Sequence, residues 1–73
     1  MHSFDYDEVV IRFTKRTQYI VENATGDDRY QRLKTRFEQL HGMLELARLL
    51  GNWRLARRIE THIEALRPVL DEG

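Results

Sequence analysis

The chain has 73 residues, which limits it to a single domain, residues 1–73, near the lower size at which one core suffices. Twelve basic and twelve acidic residues cancel, so no net field attracts the chain to nucleic acid or to a membrane surface. The absence of cysteine excludes disulfides, thiolate metal sites and thiol nucleophiles. There is no apolar run of the roughly 20 residues that a membrane span needs. Residues 1–5 also lack signal-peptide features, so we expect a cytoplasmic protein.

The N-terminal third is compatible with a helix or with strands. Candidate core positions recur at helical spacing at Tyr6, Val10, Phe13, Thr17, Ile20 and Ala24. Ser3 and the acidic residues after it are typical of a helix start. The segment is also rich in β-branched residues that alternate as in a strand, so a β-hairpin is the alternative. No glycine, proline or asparagine lies between the alternating runs to form a tight turn, which favours a helix near 4–24.

The clearest helical pattern lies in the middle of the chain. Apolar residues at intervals of three and four form one face: Tyr30, Leu33, Phe37, Leu40, Leu44 and Ala47. Met43, Leu46 and Leu50 add a second stripe beside the C-terminal half of that face. The Thr25 hydroxyl is placed to cap the helix start, and Gly51 is placed to end the helix. We therefore predict a helix near 28–50 that is contacted on two sides toward its end.

A third helix follows after a turn of only two residues, Gly51 and Asn52. Asn52 is placed to cap it, and its apolar residues again step by three and four at Ala56, Ile59, Ile63, Leu66 and Leu70. Pro68 lacks a backbone donor, so regular helix is expected over 53–67. The short connection forces the last two helices into a tight antiparallel hairpin. The predicted fold is an all-α three-helix bundle centred on this hairpin.

Residues that could carry chemistry are sparse. Glu38 and His41 have the spacing of a helical metal-binding pair, but a carboxylate-bridged centre uses two such pairs and two further glutamates. Ser3 is the only serine, and no glycine-rich loop follows a strand to bind phosphate. We therefore predict no enzymatic activity, no metal site and no cofactor.

Arginines beside the predicted core are the candidates for partner binding. They form two clusters, one along the middle helix and one at the start of the third: Arg29, Arg32 and Arg36, then Trp53, Arg54, Arg57 and Arg58. Like charges four residues apart repel, and basic residues in first turns oppose the helix dipole, so their presence indicates a role in binding. Trp and Arg are also enriched at binding hot spots. The structural alternative is that Asp28 and other carboxylates neutralise the arginines and that Trp53 covers the end of the hairpin.

Two known helical motifs are similar to the segment around the turn. Residues 51–68, with Gly51 before an aromatic residue, Ala56 three positions after that residue and Pro68 at the close, resemble the second half of a tetratricopeptide repeat. This resemblance implies a protein-binding helical hairpin, and a single copy implies no solenoid. Residues 46–51 with the Arg-rich helix after them also resemble a helix-turn-helix, which implies DNA binding. Asn52 stands where that turn needs an apolar residue.

These features together predict a non-enzymatic regulatory domain that docks on a larger protein machine and inhibits or redirects it. The profile is similar to that of small phage-encoded regulators that act on host transcription machinery. The first alternative is a helix-turn-helix-like DNA-binding transcription regulator, and the second is a structural dimerisation module. The neutral net charge favours a protein partner over nucleic acid, and leftover apolar surface leaves a homodimer open.

Overall fold

A computed structural model describes residues 5–72 as three consecutive helices: α1 (Tyr6–Asn23), α2 (Gly26–Leu49) and α3 (Trp53–Glu72). These residues contain no strand, so the predicted all-α bundle is confirmed and the β-hairpin alternative for the N-terminal third is wrong. The helical spacing prevails because it places Val10, Thr17 and Ile20 on one buried face of α1. The Thr17 hydroxyl, which would be costly to bury alone, donates a hydrogen bond to the Phe13 carbonyl at 2.9 Å.

The start of α1 is capped by Asp5, whose side chain accepts a hydrogen bond from the backbone N–H of Glu8 at 3.3 Å. The predicted start at residue 4 and the predicted role of Ser3 lie outside the described residues. The start of α2 differs from the prediction, because Thr25 is the N-cap residue but its hydroxyl makes no capping hydrogen bond. Acidic residues at positions 27 and 28 stabilise this end of α2 through the helix dipole.

The turn between α2 and α3 is formed as predicted. Gly51 has a φ of +70°, a left-handed conformation that L-residues rarely adopt. Its N–H donates to the Arg48 carbonyl at 3.0 Å, and the Asn52 N–H donates to the Ala47 carbonyl at 2.9 Å. The Asn52 side chain then accepts from the Leu55 N–H at 3.1 Å. One glycine thus ends α2, and the next residue caps α3.

The prediction that α3 ends near residue 67 is wrong, because the helix continues through Pro68 to Glu72. Pro68 removes one backbone hydrogen bond from the helix. Val69 and Leu70, just beyond it, are half-buried and pack against the core. Proline inside a helix costs about 3 kcal/mol. Burial of aliphatic side chains, worth about 1.5–3 kcal/mol each when complete, offsets that cost at Val69 and Leu70, so the helix persists past the proline.

The core lies between the two long helices, with α1 packed over one side. Leu33, Leu40 and Ile59 are its largest fully buried side chains. The start of α2 and the end of α3 line a common surface cavity at Tyr30 and Val69, so the two helices remain side by side along their length. The Cα atoms span 41 × 24 × 14 Å, and the shortest dimension corresponds to two layers of helix. None of the described helices is long and apolar enough to span a membrane.

Candidate functional site

The arginine cluster on α2 contacts other parts of the chain. The Arg29 Nε donates to the Val21 carbonyl at 3.3 Å, near the end of α1. The Arg36 guanidinium lies over the Phe13 ring at 4.4 Å from the centroid. Partial burial, and after it the positive charge of Arg16, lower the pKa of Arg36. Arg29 and Arg36 therefore join α2 to α1. Packing and a cation–π contact explain why these two arginines lie there.

Arg32, the third member of that cluster, forms an ion pair with Asp28 one turn earlier, at 3.0 Å between Nε and Oδ2. Both side chains are more than half exposed, so the pair contributes about 0.3–0.5 kcal/mol to stability. The structure thus gives each of the three arginines a partner within the chain.

The second cluster divides into one paired arginine and two exposed ones. Arg58 pairs with Asp7 on α1 at 3.5 Å, which links the first and last helices. Arg54 and Arg57 are exposed, and within residues 5–72 neither side chain has an ion-pair partner. Trp53 is 67% exposed at the start of α3. Trp53 and Arg57 lie four residues apart and therefore share a face of the helix.

Leu49, in the last turn of α2, is 83% exposed on the other side of the turn from Trp53. We call Leu49, Trp53, Arg54 and Arg57 the tip surface, since they flank the closed end of the hairpin. Trp53, Arg54 and Arg57 are candidates already from the sequence, whereas Leu49 is not. The pair of leucines directly before Gly51 indicates Leu49, because at most one of these two adjacent side chains can face the core.

A second surface, of which the sequence indicated only the stripe of Met43, Leu46 and Leu50, is an apolar groove of about 170 Å³ between the three helices. Its floor consists of four buried residues: Val10, Ala47, Leu55 and Ile59. Its rim is formed by Tyr6 and Val9 of α1, by Met43 and Leu46 of α2, and by Leu50 just after α2. Leu46 and Leu50 remain 48% and 53% exposed, so the second contact predicted for this stripe is only partly made within the chain.

The groove and the Trp53 side of the tip surface face different directions. Leu55 lines the groove, and Trp53 precedes it by two residues, which corresponds to a rotation of about 200° around the helix axis. A molecule bound in the groove would therefore leave Trp53 and Arg57 exposed.

His41 and His62 lie apart from both surfaces. His41 contacts Phe37 edge-on, with 4.7 Å between ring centroids and 77° between planes. His62 is half-buried and lines a small cavity beside Thr17 and Leu66. Burial, and after it the charge of Arg58, lower the pKa of His62. Among residues 5–72, no three His, Cys, Asp or Glu side chains come together in a way that could hold a metal ion.

Comparisons of the chain with protein-family models, with curated proteins and with solved structures gave no significant match.

Proposed function

We propose that this chain is a non-enzymatic regulatory domain that docks through its tip surface on an acidic patch of a larger protein. The observation that carries the proposal is the exposure of Trp53 beside two arginines without ion-pair partners in the described residues. Trp and Arg are the residue types most often found at binding hot spots. Regulation would result from occupancy, because a bound domain blocks or redirects a larger machine such as the transcription machinery.

The side chains of the tip surface are exposed in the isolated chain, so the free energy of burying them becomes available only when a partner covers them. Burial of a large aliphatic side chain such as Leu49 contributes about 1.5–3 kcal/mol. Arg54 and Arg57 flank the apolar contact with positive charge and have no ion-pair partner among the described residues. A partner surface with an apolar pocket bordered by carboxylates is complementary to this arrangement.

A protein partner is favoured over DNA by charge and by helix geometry. The chain has no net charge, and Arg29, Arg36 and Arg58 already contact groups within it. Phosphate binding gains affinity from each arginine or lysine that neutralises a phosphate, and only two of the predicted arginines lack partners in residues 5–72. The helices of a helix-turn-helix cross at about 90–120°. By contrast, α2 and α3 lie side by side as far as Tyr30 and Val69.

The test compares the wild-type chain with two variants in a capture experiment. The variant W53A/R57E loses the apolar anchor and reverses one charge of the tip surface. The control K34E makes the same charge reversal at an exposed position of α2 outside that surface. Proteins captured from a nuclease-treated lysate of the source cells are identified by mass spectrometry. A protein retained by the wild-type chain and the control but lost with W53A/R57E is then purified.

The affinity of the purified partner is measured through the fluorescence of Trp53, the only tryptophan in the chain. We expect Trp53→Ala to weaken binding about 30-fold, which corresponds to about 2 kcal/mol. Because this variant lacks the fluorescent tryptophan, its affinity is measured by calorimetry. Lys34→Glu should leave the affinity within about twofold of wild type, because an exposed charge outside an interface contributes little. A wild-type chain that captures no protein beyond those that W53A/R57E also captures would refute the proposal. Tight binding to a short DNA duplex with a steep salt dependence would support the DNA-binding alternative instead.

A further inference from the structure

We infer that the tip surface of one copy of this chain docks into a cavity at the opposite end of a second copy, so that the chain associates head to tail. We call this site the open-end cavity, and its lining includes Asp27, Tyr30, Leu33, Val69, Leu70 and Asp71. The inference rests on the tip surface being a binding surface, as the proposed function does. It adds a second occupant of that surface, so self-association would regulate access to the protein partner.

The first argument is the distribution of charge along the hairpin. Residues 46–59, which form its closed end, contain four arginines and no acidic residue. Two of these arginines pair with carboxylates, which leaves Arg54 and Arg57 without an ion pair in residues 5–72. The open end, residues 25–28 and 68–72, contains four acidic residues and no basic one. The hairpin is therefore electrically polar, although the chain has no net charge, and opposite ends of two copies attract each other.

The second argument is the match between the two surfaces. The open-end cavity has a volume of about 620 Å³, within the range of sites that hold ligands larger than an indole ring. Its lining combines apolar side chains with the carboxylates of Asp27 and Asp71, neither of which forms an ion pair within residues 5–72. Trp53 matches the apolar lining, and Arg54 and Arg57 match the carboxylates.

One basic residue, Arg29, also borders the cavity. Its Nε donates to the Val21 carbonyl at 3.3 Å, so this guanidinium is held toward α1. The two carboxylates of the cavity outnumber this single positive charge, and the site remains complementary to a cationic surface.

The third argument is distance. Helix α2 runs from Gly26 at the cavity to Leu49 at the tip surface, and its 24 residues span about 36 Å. The two complementary surfaces of one copy therefore cannot meet, but every other copy supplies both. Such a contact leaves one tip surface and one cavity unfilled, so association continues beyond a dimer unless the copies close into a ring.

The experiment uses two variants of the full chain whose ends should repel each other. R54E/R57E makes the tip surface acidic, and D27R/D71R makes the cavity basic. All four side chains are exposed, so circular dichroism should show both variants to be folded. In sedimentation equilibrium at up to about 1 mM, the mass of the wild-type chain should rise above 8.8 kDa with concentration. Each variant alone should keep the mass of one chain.

A mixture of the two variants gives the sharpest test. The acidic tip surface of R54E/R57E then faces the basic cavity of D27R/D71R, and the unchanged tip surface of D27R/D71R faces the unchanged cavity of R54E/R57E. An equimolar mixture should therefore associate as the wild-type chain does. Trp53 should also become protected from quenching by acrylamide, which distinguishes docking of the tip surface from attraction between oppositely charged molecules.

Two further variants serve as controls. K15E/K34E changes the net charge by the same amount as R54E/R57E, at exposed positions outside both surfaces, and should associate like wild type. Asp71→Arg alone places a positive charge near the end of α3, where it favours the helix dipole and so preserves the fold. This single change should weaken association about tenfold.

Three results would overturn the inference. The first is a wild-type chain that remains monomeric at the highest concentration. The second is association that D27R/D71R retains, as a contact between two tip surfaces would. The third is a mixture of the two variants that remains monomeric.

The outcomes also separate this inference from the proposed function, because D27R/D71R keeps the tip surface and should still bind the protein partner. A chain that self-associates but captures no partner would contradict the proposed function alone. A chain that captures a partner but remains monomeric would contradict this inference alone.

Discussion

Gly42 and Gly51 offer the same substitution in two opposite backbone settings. Gly42 lies in the interior of α2, whereas Gly51 has a φ of +70° in the turn. Outside the adjacent residues and the backbone of its own helix, a Cβ atom added at either position meets no atom within 4 Å. Steric overlap therefore does not contribute at either site, and the backbone conformation alone decides whether alanine stabilises or destabilises the fold.

The expected magnitudes follow from these two conformations. Gly42→Ala should raise the free energy of unfolding by about 0.5–1 kcal/mol, the usual gain in a helix interior. Gly51→Ala places an L-residue in the left-handed region, which costs about 1–2 kcal/mol. The reduced entropy of the unfolded chain offsets about 0.4–1 kcal/mol of that cost. The net loss is about 1 kcal/mol, so the two variants should differ by about 2 kcal/mol.

Urea unfolding followed by far-ultraviolet circular dichroism measures this difference. With a slope of about 1 kcal/mol per molar urea for so small a chain, the two midpoints should lie about 2 M apart. Both variants must be compared at one protein concentration, because self-association would contribute to stability. A synthetic chain with D-alanine at position 51 should be at least as stable as wild type, since D-residues favour positive φ. Shifts of the same sign for Gly42→Ala and Gly51→Ala would refute the reasoning.

Three further predictions concern helix caps, the proline and acid stability. Asn52→Ala should lower the free energy of unfolding in urea by about 1 kcal/mol, whereas Thr25→Ala, which loses no capping bond, should change it by less than about 0.3 kcal/mol. Pro68→Ala should raise it by about 1–3 kcal/mol and increase the thermal midpoint, because a backbone donor is restored inside α3. Because the pKa of His62 is lowered in the folded chain, this side chain binds a proton more tightly in the unfolded chain than in the folded one. Stability should therefore be lost as the pH falls below about 6.5, and His62→Gln should reduce that loss.

Each of these predictions has a contrary outcome. Equal losses for Asn52→Ala and Thr25→Ala would show that the Asn52 side chain does not stabilise α3 by capping. A destabilised Pro68→Ala would show that the proline ring packs in a way that outweighs its missing donor. An unchanged pH dependence in His62→Gln, measured by urea unfolding at several pH values, would show that other groups cause the acid sensitivity.

The sequence predicts the helices and the turn well because both depend on local information. Apolar spacing reports which face of a helix is buried, and the order Gly51-Asn52 specifies an end and a start with backbone chemistry alone. The end of α3 could not be predicted in the same way. Pro68 is a local signal against helix, and the burial of Val69 and Leu70 that overrides it is a tertiary effect.

The candidate surfaces are only partly predictable for a similar reason. Arg58 and Asp7 are 51 residues apart, and no local pattern indicates that they form an ion pair. The contact of Arg36 with Phe13 likewise depends on how α1 docks. The stripe that contains Leu46 and Leu50 is visible in the sequence. How much of this stripe is covered depends on how far α1 extends along α2, since α1 has 18 residues and α2 has 24.

The small share of the core that α1 contributes has a consequence for how the chain folds. Three buried residues come from α1, against four from α2 and five from α3. The contacts of the hairpin are close in sequence, so loop closure costs little and this unit should form first and fast. Docking of α1 comes last, and its backbone amides should be the first to exchange with deuterium in the native state. We therefore expect one wall of the groove to be the least stable of the three helices, and any contact that covers the groove would also hold α1 in place.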